Sequence, residues 1–220
     1  MIKAIYFIKC KPGMDQQAFR AYWLGRHAEL VSKVPGLRRY VQCHTLLSGY
    51  KKGEPIWDGI AELTYDDIDA MRRITDSPES RAANEDTPNF ADVTHGGGLI
   101  TEEVVQKDGP TNPSMVKMAG FAVRKSGMAP AAFQKYWRET HGPLACKIPQ
   151  VRRYVQCHPL LSAYRDGRQP IYDGVALTWF DNTADMREKP AEYRAIRRDE
   201  PNFLELRPEN IIITREHVII

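Results

Sequence analysis

Hydrophobic and polar positions alternate or recur along this chain in a way that predicts six elements, and then predicts them again. Ala4 to Lys9 reads as a strand, an apolar stretch broken by Lys9 and Pro12. From Asp15 to Lys33, Phe19, Trp23, His27, Leu30 and Val34 return at helical spacing, and Pro35-Gly36 ends that helix. Strands are expected at Leu37 to Thr45 and Ile56 to Thr64. A helical region follows from Asp67 to Asp86, interrupted at Pro78, and a last strand near Leu99 to Val105.

The stretch LRRYVQCHTLLSGY, Leu37 to Tyr50, returns as VRRYVQCHPLLSAY, Val151 to Tyr164, at an offset of 114 residues. At the same offset Phe19, Tyr22, Trp23 and His27 map onto Phe133, Tyr136, Trp137 and His141. Trp57-Asp58-Gly59 answers Tyr172-Asp173-Gly174, and Pro88-Asn89-Phe90 answers Pro201-Asn202-Phe203. The register therefore survives to both ends. The expected organisation is repeat 1 over residues 1–108, a linker over 109–114 rich in Pro, Gly and Asn, and repeat 2 over 115–220.

The order β-α-β-β-α-β is the ferredoxin-like pattern, an α+β unit whose sheet carries helices on one face and leaves the other needing cover. Two such repeats can cover each other. The expected fold is an intrachain pseudo-dimeric α/β barrel with helices outside and a cavity within.

Composition narrows the class of function. Hydrophobic residues make up 42% and charged residues 27% of 220, ordinary for a folded domain. A net charge of +3 with scattered Lys and Arg gives no footprint for nucleic acid. No apolar run approaches the ~20 residues that span a bilayer, so the expectation is a cytoplasmic protein without a membrane partner. Cys10, Cys43, Cys146 and Cys157 form no C-x-x-C pair, and only Cys43 and Cys157 match in the repeat. No H-E-x-x-H or clustered Cys pattern suggests a metal, and no metal or other cofactor is expected.

Strand alternation puts Tyr40, Gln42 and His44 on one face and Val41 and Cys43 on the other, and does the same for Tyr154, Gln156 and His158. The polar trio is expected to face the cavity, with Cys43 and Cys157 packed under the helices. His27 and His141 lie on the apolar stripe of their helices, where a neutral imidazole can take a proton. A tyrosine hydroxyl beside it can hydrogen-bond a developing enolate oxygen. The expected catalytic residues are His27, Tyr40 and His44 in one repeat and His141, Tyr154 and His158 in the other. Gln42, Asp58 and Trp23, with Gln156, Asp173 and Trp137, are expected to bind substrate. Two other readings stay open: the tryptophans as core, and Asp58 and Asp173 either orienting a histidine or capping a turn before Gly59 and Gly174.

The motifs F-x-x-Y-W-x-x-x-H, P-G-L-R-R-Y-V-Q-x-H and D-G-I-A-E-L resemble the EthD family of dimeric α/β-barrel proteins, twice and over nearly the whole chain. The resemblance implies a cavity in each half for cofactor-free chemistry on small carbocyclic, lactone or polyketide-like molecules. Family members that isomerise muconolactones use a helix histidine and a strand tyrosine, which match His27 and Tyr40, and His141 and Tyr154. A lyase or isomerase acting by proton transfer is the activity this implies. The alternatives are a cofactor-free monooxygenase of phenolic rings and a non-catalytic small-molecule-binding barrel. Many relatives are single units that dimerise, so a homodimer of this pseudo-dimeric chain is a further implied partner.

Overall fold

A computed structural model describes residues 1–51, 53–207 and 210–220. The chain divides into two compact units, Met1–Ile100 with Glu216–Ile220, and Thr101–Arg215. Each repeat follows the β-α-β-β-α-β order, and the α+β class with ferredoxin-like repeats holds.

In the first unit β1 (Ile2–Ile8) leads to a helix that starts where Asp15 accepts hydrogen bonds from the backbone N–H groups of Gln17 and Ala18. That helix is not uniform. It is α-helical over α1 (Gln16–Tyr22), opens into a π-helical turn over Trp23–His27, and closes again over α2 (Ala28–Val31). The strand β2 (Arg39–Thr45) and the strand β3 (Gly59–Tyr65) follow, then α3 (Ile68–Ile74) and α4 (Pro78–Asp86). Ser77 caps α4 and Pro78 takes its first position, where a missing N–H costs nothing. The central strand is β3, antiparallel to β1 and β2, with Glu62 opposite both Ile5 and Val41. Ile219 and Ile220 hydrogen-bond the backbone of Tyr40 at 2.9 and 3.0 Å.

The strand β4 (Gly97–Lys107) begins in the first unit and continues into the second, where Thr101 onward pairs with β6 (Arg153–Pro159). In the second unit β5 (Val116–Ala122) precedes α5 (Pro130–Tyr136), a second π-helical turn over Trp137–His141, and α6 (Gly142–Ala145). After β6 come β7 (Gly174–Phe180), α7 (Thr183–Arg187), α8 (Ala191–Asp199) and β8 (Ile211–Val218). Here β7 is central between β5 and β6, and β5 also pairs with β8. The compact units thus differ from the repeat boundaries at residue 108: β4 leaves its repeat after Ile100, and the last five residues join the first unit.

Each unit packs its helices on one face of its sheet. In the first, Phe19, Trp23, Ala28, Val31, Tyr40, Ala61, Ala83 and Phe90 form one buried cluster. Phe133, Trp137 and Phe203 do the same in the second. Burying each large side chain of this kind stabilises the fold by roughly 1.5–3 kcal/mol. No helix among the described residues is long and apolar enough to cross a membrane.

The alternation expected along β2 and β6 is present, but the assignment of faces is corrected. Tyr40, Gln42 and His44 lie beneath the helices, and Cys43 lies on the opposite face, where its thiol donates to Glu62 Oε1 at 3.1 Å. Strand β2 is buried from Tyr40 to Thr45 on both faces, so no exposed edge of the pattern marks which face carries the helices.

Candidate active site

A cavity lies between sheet and helices in each unit, about 610 Å³ in the first and about 560 Å³ in the second. Neither is the cavity between facing sheets that the repeat predicts. Trp23, His27 and Tyr40 line the first; Trp137, His141 and Tyr154 line the second.

The π-helical turn sets the constellation. Opening the helix by one residue makes the Ala28 N–H reach back five residues to the Trp23 carbonyl. That carbonyl also accepts from Gln42 Nε2 at 2.7 Å, and Trp137 O accepts from Gln156 Nε2 at 3.0 Å. The second amide proton of Gln42 goes to the Tyr40 hydroxyl oxygen at 2.8 Å, and Trp23 Nε1 donates to the same oxygen at 3.2 Å. The Tyr154 hydroxyl receives the same pair, from Gln156 at 3.2 Å and Trp137 at 2.9 Å. With both lone pairs occupied, each tyrosine keeps its own O–H proton to donate. Burial pushes Tyr40 up to about 12 and raises Tyr154 also, so each remains a donor.

His44 and His158 stand behind the tyrosines and do not line the cavities. Because both amide protons of Gln42 are committed, its Oε1 must accept, and His44 Nε2–H donates to it at 2.9 Å; His158 does so to Gln156 at 3.0 Å. His44 also stacks on Trp23 at 4.4 Å. Burial, aided by His217 and Arg20, lowers His44 to about 3; burial and Arg138 lower His158 to about 4. Both are neutral at pH 7, and they orient the glutamines that orient the tyrosines.

The carboxylates that hold the helix histidines are Asp86 and Asp199. Asp86 Oδ2 lies 2.9 Å from His27 Nδ1, and its Oδ1 accepts from the Tyr22 hydroxyl at 2.7 Å and from Asn89 at 3.2 Å. Asp199, Tyr136 and Asn202 repeat this around His141 at 2.9, 2.6 and 3.2 Å. Burial lowers His27 and His141, and the aspartates restore only part of the loss. Burial pushes the two carboxyls up, but the hydrogen bonds from Tyr22, His27 and Asn89, and from Tyr136, His141 and Asn202, outweigh it and hold both below the ordinary range. The pair is therefore a neutral imidazole donating Nδ1–H to a carboxylate, which leaves Nε2 as a base. The signal in the chain is a recurring D-x-P-N-F: Asp86 and Asp199 each stand two residues before the matched Pro-Asn-Phe.

Asp58 and Asp173, expected at the substrate, are elsewhere. Asp58 accepts from Cys10 N at 2.8 Å, Gln16 at 3.0 Å and the Tyr50 hydroxyl. Asp173 accepts from the backbone and guanidinium of Arg124 and from Tyr164. They tie the start of β3 or β7 to the loop after the unit's first strand, and neither touches a histidine. The close approach at Gly59 and Gly174 is the tryptophan: a Cβ there would lie 2.6 Å from the Trp23 ring and 2.4 Å from the Trp137 ring. The indoles are thus both core and cavity wall, 0% and 2% exposed.

Outside the cavities, Cys43, Glu62 and Glu216 bring potential metal ligands within 4.8 Å of one another. Lys3 Nζ lies 2.6 Å from Glu62 Oε2 and supplies positive charge there from within the chain.

Among solved structures, an anthrone oxidase-like protein matches 99% of this chain over 90% of its own, at 8% identity and a TM-score of 0.65. A mutant chlorite dismutase from Candidatus Nitrospira defluvii matches 99% over 92%, at 8% identity and a TM-score of 0.61. At these identities the likeness is one of fold. An EthD family protein from Bacillus halodurans, 30% identical, matches 47% of this chain over 99% of its own with a TM-score of 0.39. No curated protein matches the chain. The EthD domain matches residues 11–94 and again residues 125–207, and the chain therefore belongs to the EthD family, with its domain present twice.

Proposed function

We propose that each unit holds a proton-transfer centre for a small cyclic carbonyl or enol compound, of the lyase or isomerase kind, worked by side chains of this chain alone. The observation that carries this reading is the neutral His27 imidazole held through Nδ1 by Asp86 at the wall of an apolar cavity, repeated by His141 and Asp199. His27 Nε2 takes a proton from carbon beside a carbonyl, and Asp86 stabilises the imidazolium that forms. The Tyr40 O–H donates to the oxygen on which negative charge collects. The imidazolium then returns the proton at another carbon of the same ring, or to a leaving hydroxyl.

Removing a positioned base usually costs about 10² to 10⁴ in rate. Deuterium incorporation from D₂O into a panel of enolisable lactones and cyclic ketones, followed by NMR, tests the reading. His27→Asn with His141→Asn should abolish enzymatic exchange, and each single variant should leave the other centre working. Exchange in the double variant equal to wild type sinks the reading.

The same abstraction from a phenolic ring would yield an anion that dioxygen can oxidise, and the fold likeness to an anthrone oxidase-like protein supports this second reading. Oxygen uptake during turnover separates the two.

A further inference from the structure

The two cavities share their His, Asp and Tyr atoms but differ in their walls. By the repeat, Tyr6 of β1 corresponds to Gly120 of β5, and Tyr65 of β3 to Phe180 of β7. The strand registers agree, since Tyr6 faces Ala61 where Gly120 faces Ala176, and Tyr65 faces Ile2 where Phe180 faces Val116. All four residues line their cavities. The hydroxyls of Tyr6 and Tyr65 have no hydrogen-bond partner among the described residues.

The replacement is one of chemistry. Tyr6 lies against Gly98, where a Cβ would come within 2.9 Å of its ring, so a small residue makes room for the phenol. In the second unit the arrangement is reversed, with Gly120 opposite Ile211, which also lines the cavity. The backbone does not require glycine at 120: its φ is outside the left-handed region, and a Cβ would meet only Ala176 Cβ, at 3.7 Å. At these two places the first cavity therefore presents hydroxyls, where the second presents an aliphatic and a phenyl group, while at a third Leu63 of the first is Thr178 in the second.

We propose that the two cavities select different ligands: the first a compact ring with further hydroxyl or carbonyl oxygens that meet Tyr6 and Tyr65, the second a ring with apolar substituents at the same places. This rests on reading each cavity as a small-molecule site. A polar group shut in without a partner costs about 1–3 kcal/mol. An apolar ring over Tyr6 and Tyr65 carries that cost, and so does a polyhydroxylated ring over Phe180 and Ile211.

Two near-isosteric phenols test the inference by titration calorimetry, 1,3,5-trihydroxybenzene and 3,5-dimethylphenol. Wild-type chain should bind one equivalent of each, without competition. Tyr6→Phe with Tyr65→Phe should weaken 1,3,5-trihydroxybenzene at least tenfold and leave 3,5-dimethylphenol bound. Phe180→Tyr, in the other cavity, should raise the trihydroxybenzene stoichiometry from one to two, and this decides the matter if the tyrosine variant does not fold. Competition for one site, two equal equivalents of either phenol, no saturable binding, or a change below twofold in the tyrosine variant overturns the proposal. The readout needs no proton transfer, so a chain that binds both phenols selectively but shows no exchange sinks the catalytic reading and leaves this one standing.

Discussion

The two units keep one network nearly unchanged and let much around it drift. The His–Asp contact is 2.9 Å in both, and the Gln-to-Tyr and Trp-to-Tyr contacts differ by no more than 0.4 Å. On the opposite sheet face, Lys3 pairs with Glu62 in the first unit, whereas the matching Lys117 lies over the Trp179 ring at 4.5 Å and Leu177 takes the place of Glu62. Lys117 has contacts besides that ring, but the carboxylate that Lys3 meets at Glu62 is a leucine at the matching place. A donor network with every proton assigned tolerates no such exchange, because one altered member strands the others.

The largest expected effect comes from the aspartates. Asp86→Asn with Asp199→Asn should lower exchange by about 10² or more, because the amide can hold the imidazole in the wrong tautomer. Steady-state rates on any substrate found in the D₂O screen check this. Loss in one single variant as complete as in the double would show that only one unit is active.

Next is Glu62→Leu, which copies the second unit into the first. Alone it should destabilise the chain by about 3 kcal/mol, the lower end for breaking a buried pair, and adding Lys3→Met should recover most of that. Urea denaturation measures both. Equal stability of the single variant and wild type would mean that the other contacts of Lys3 suffice.

Gly59→Ala and Gly174→Ala should each cost about 1–3 kcal/mol by overpacking. Each new methyl meets an indole ring and also a backbone oxygen, Cys43 O at 2.5 Å or Cys157 O at 2.9 Å. A shifted tryptophan fluorescence maximum would report which indole moves.

The smallest expected effect is on pH dependence. His27 and His141 sit below the ordinary histidine value of about 6.5, so the base form persists as pH falls below that value, and activity is lost only through the lowered one. Asp86 raises His27, so Asp86→Asn should move the acid limb of its centre to still lower pH. Stability follows the same sign. His44 and His158 are depressed to about 3 and about 4, so their contribution is present above about 6.5 and is lost as pH falls toward the folded values. A melting temperature that declines from pH 6.5 to 4, and declines less in His44→Gln, would show it.

By itself the sequence determined the duplication, the order of elements in each copy, and the set of His, Tyr, Gln and His that each copy brings together. It did so because those features are local: helical spacing, strand alternation and an offset of 114 residues need no knowledge of packing. Only the tertiary structure decided the rest. Strand β2 is buried on both faces, so alternation could group Tyr40 with Gln42 and His44 but not say that the helices cover them. The π-helical turn carries a carbonyl that accepts from Gln42, 19 residues away. Asp86 and Asp199 stand 59 and 58 residues from the histidines they hold, while Asp58 and Asp173, beside the glycines that attract notice, serve the loops. A hydrogen-bonding partner that far along the chain is chosen by the packing of α4 or α8 on the histidine's own helix, a contact no local pattern encodes.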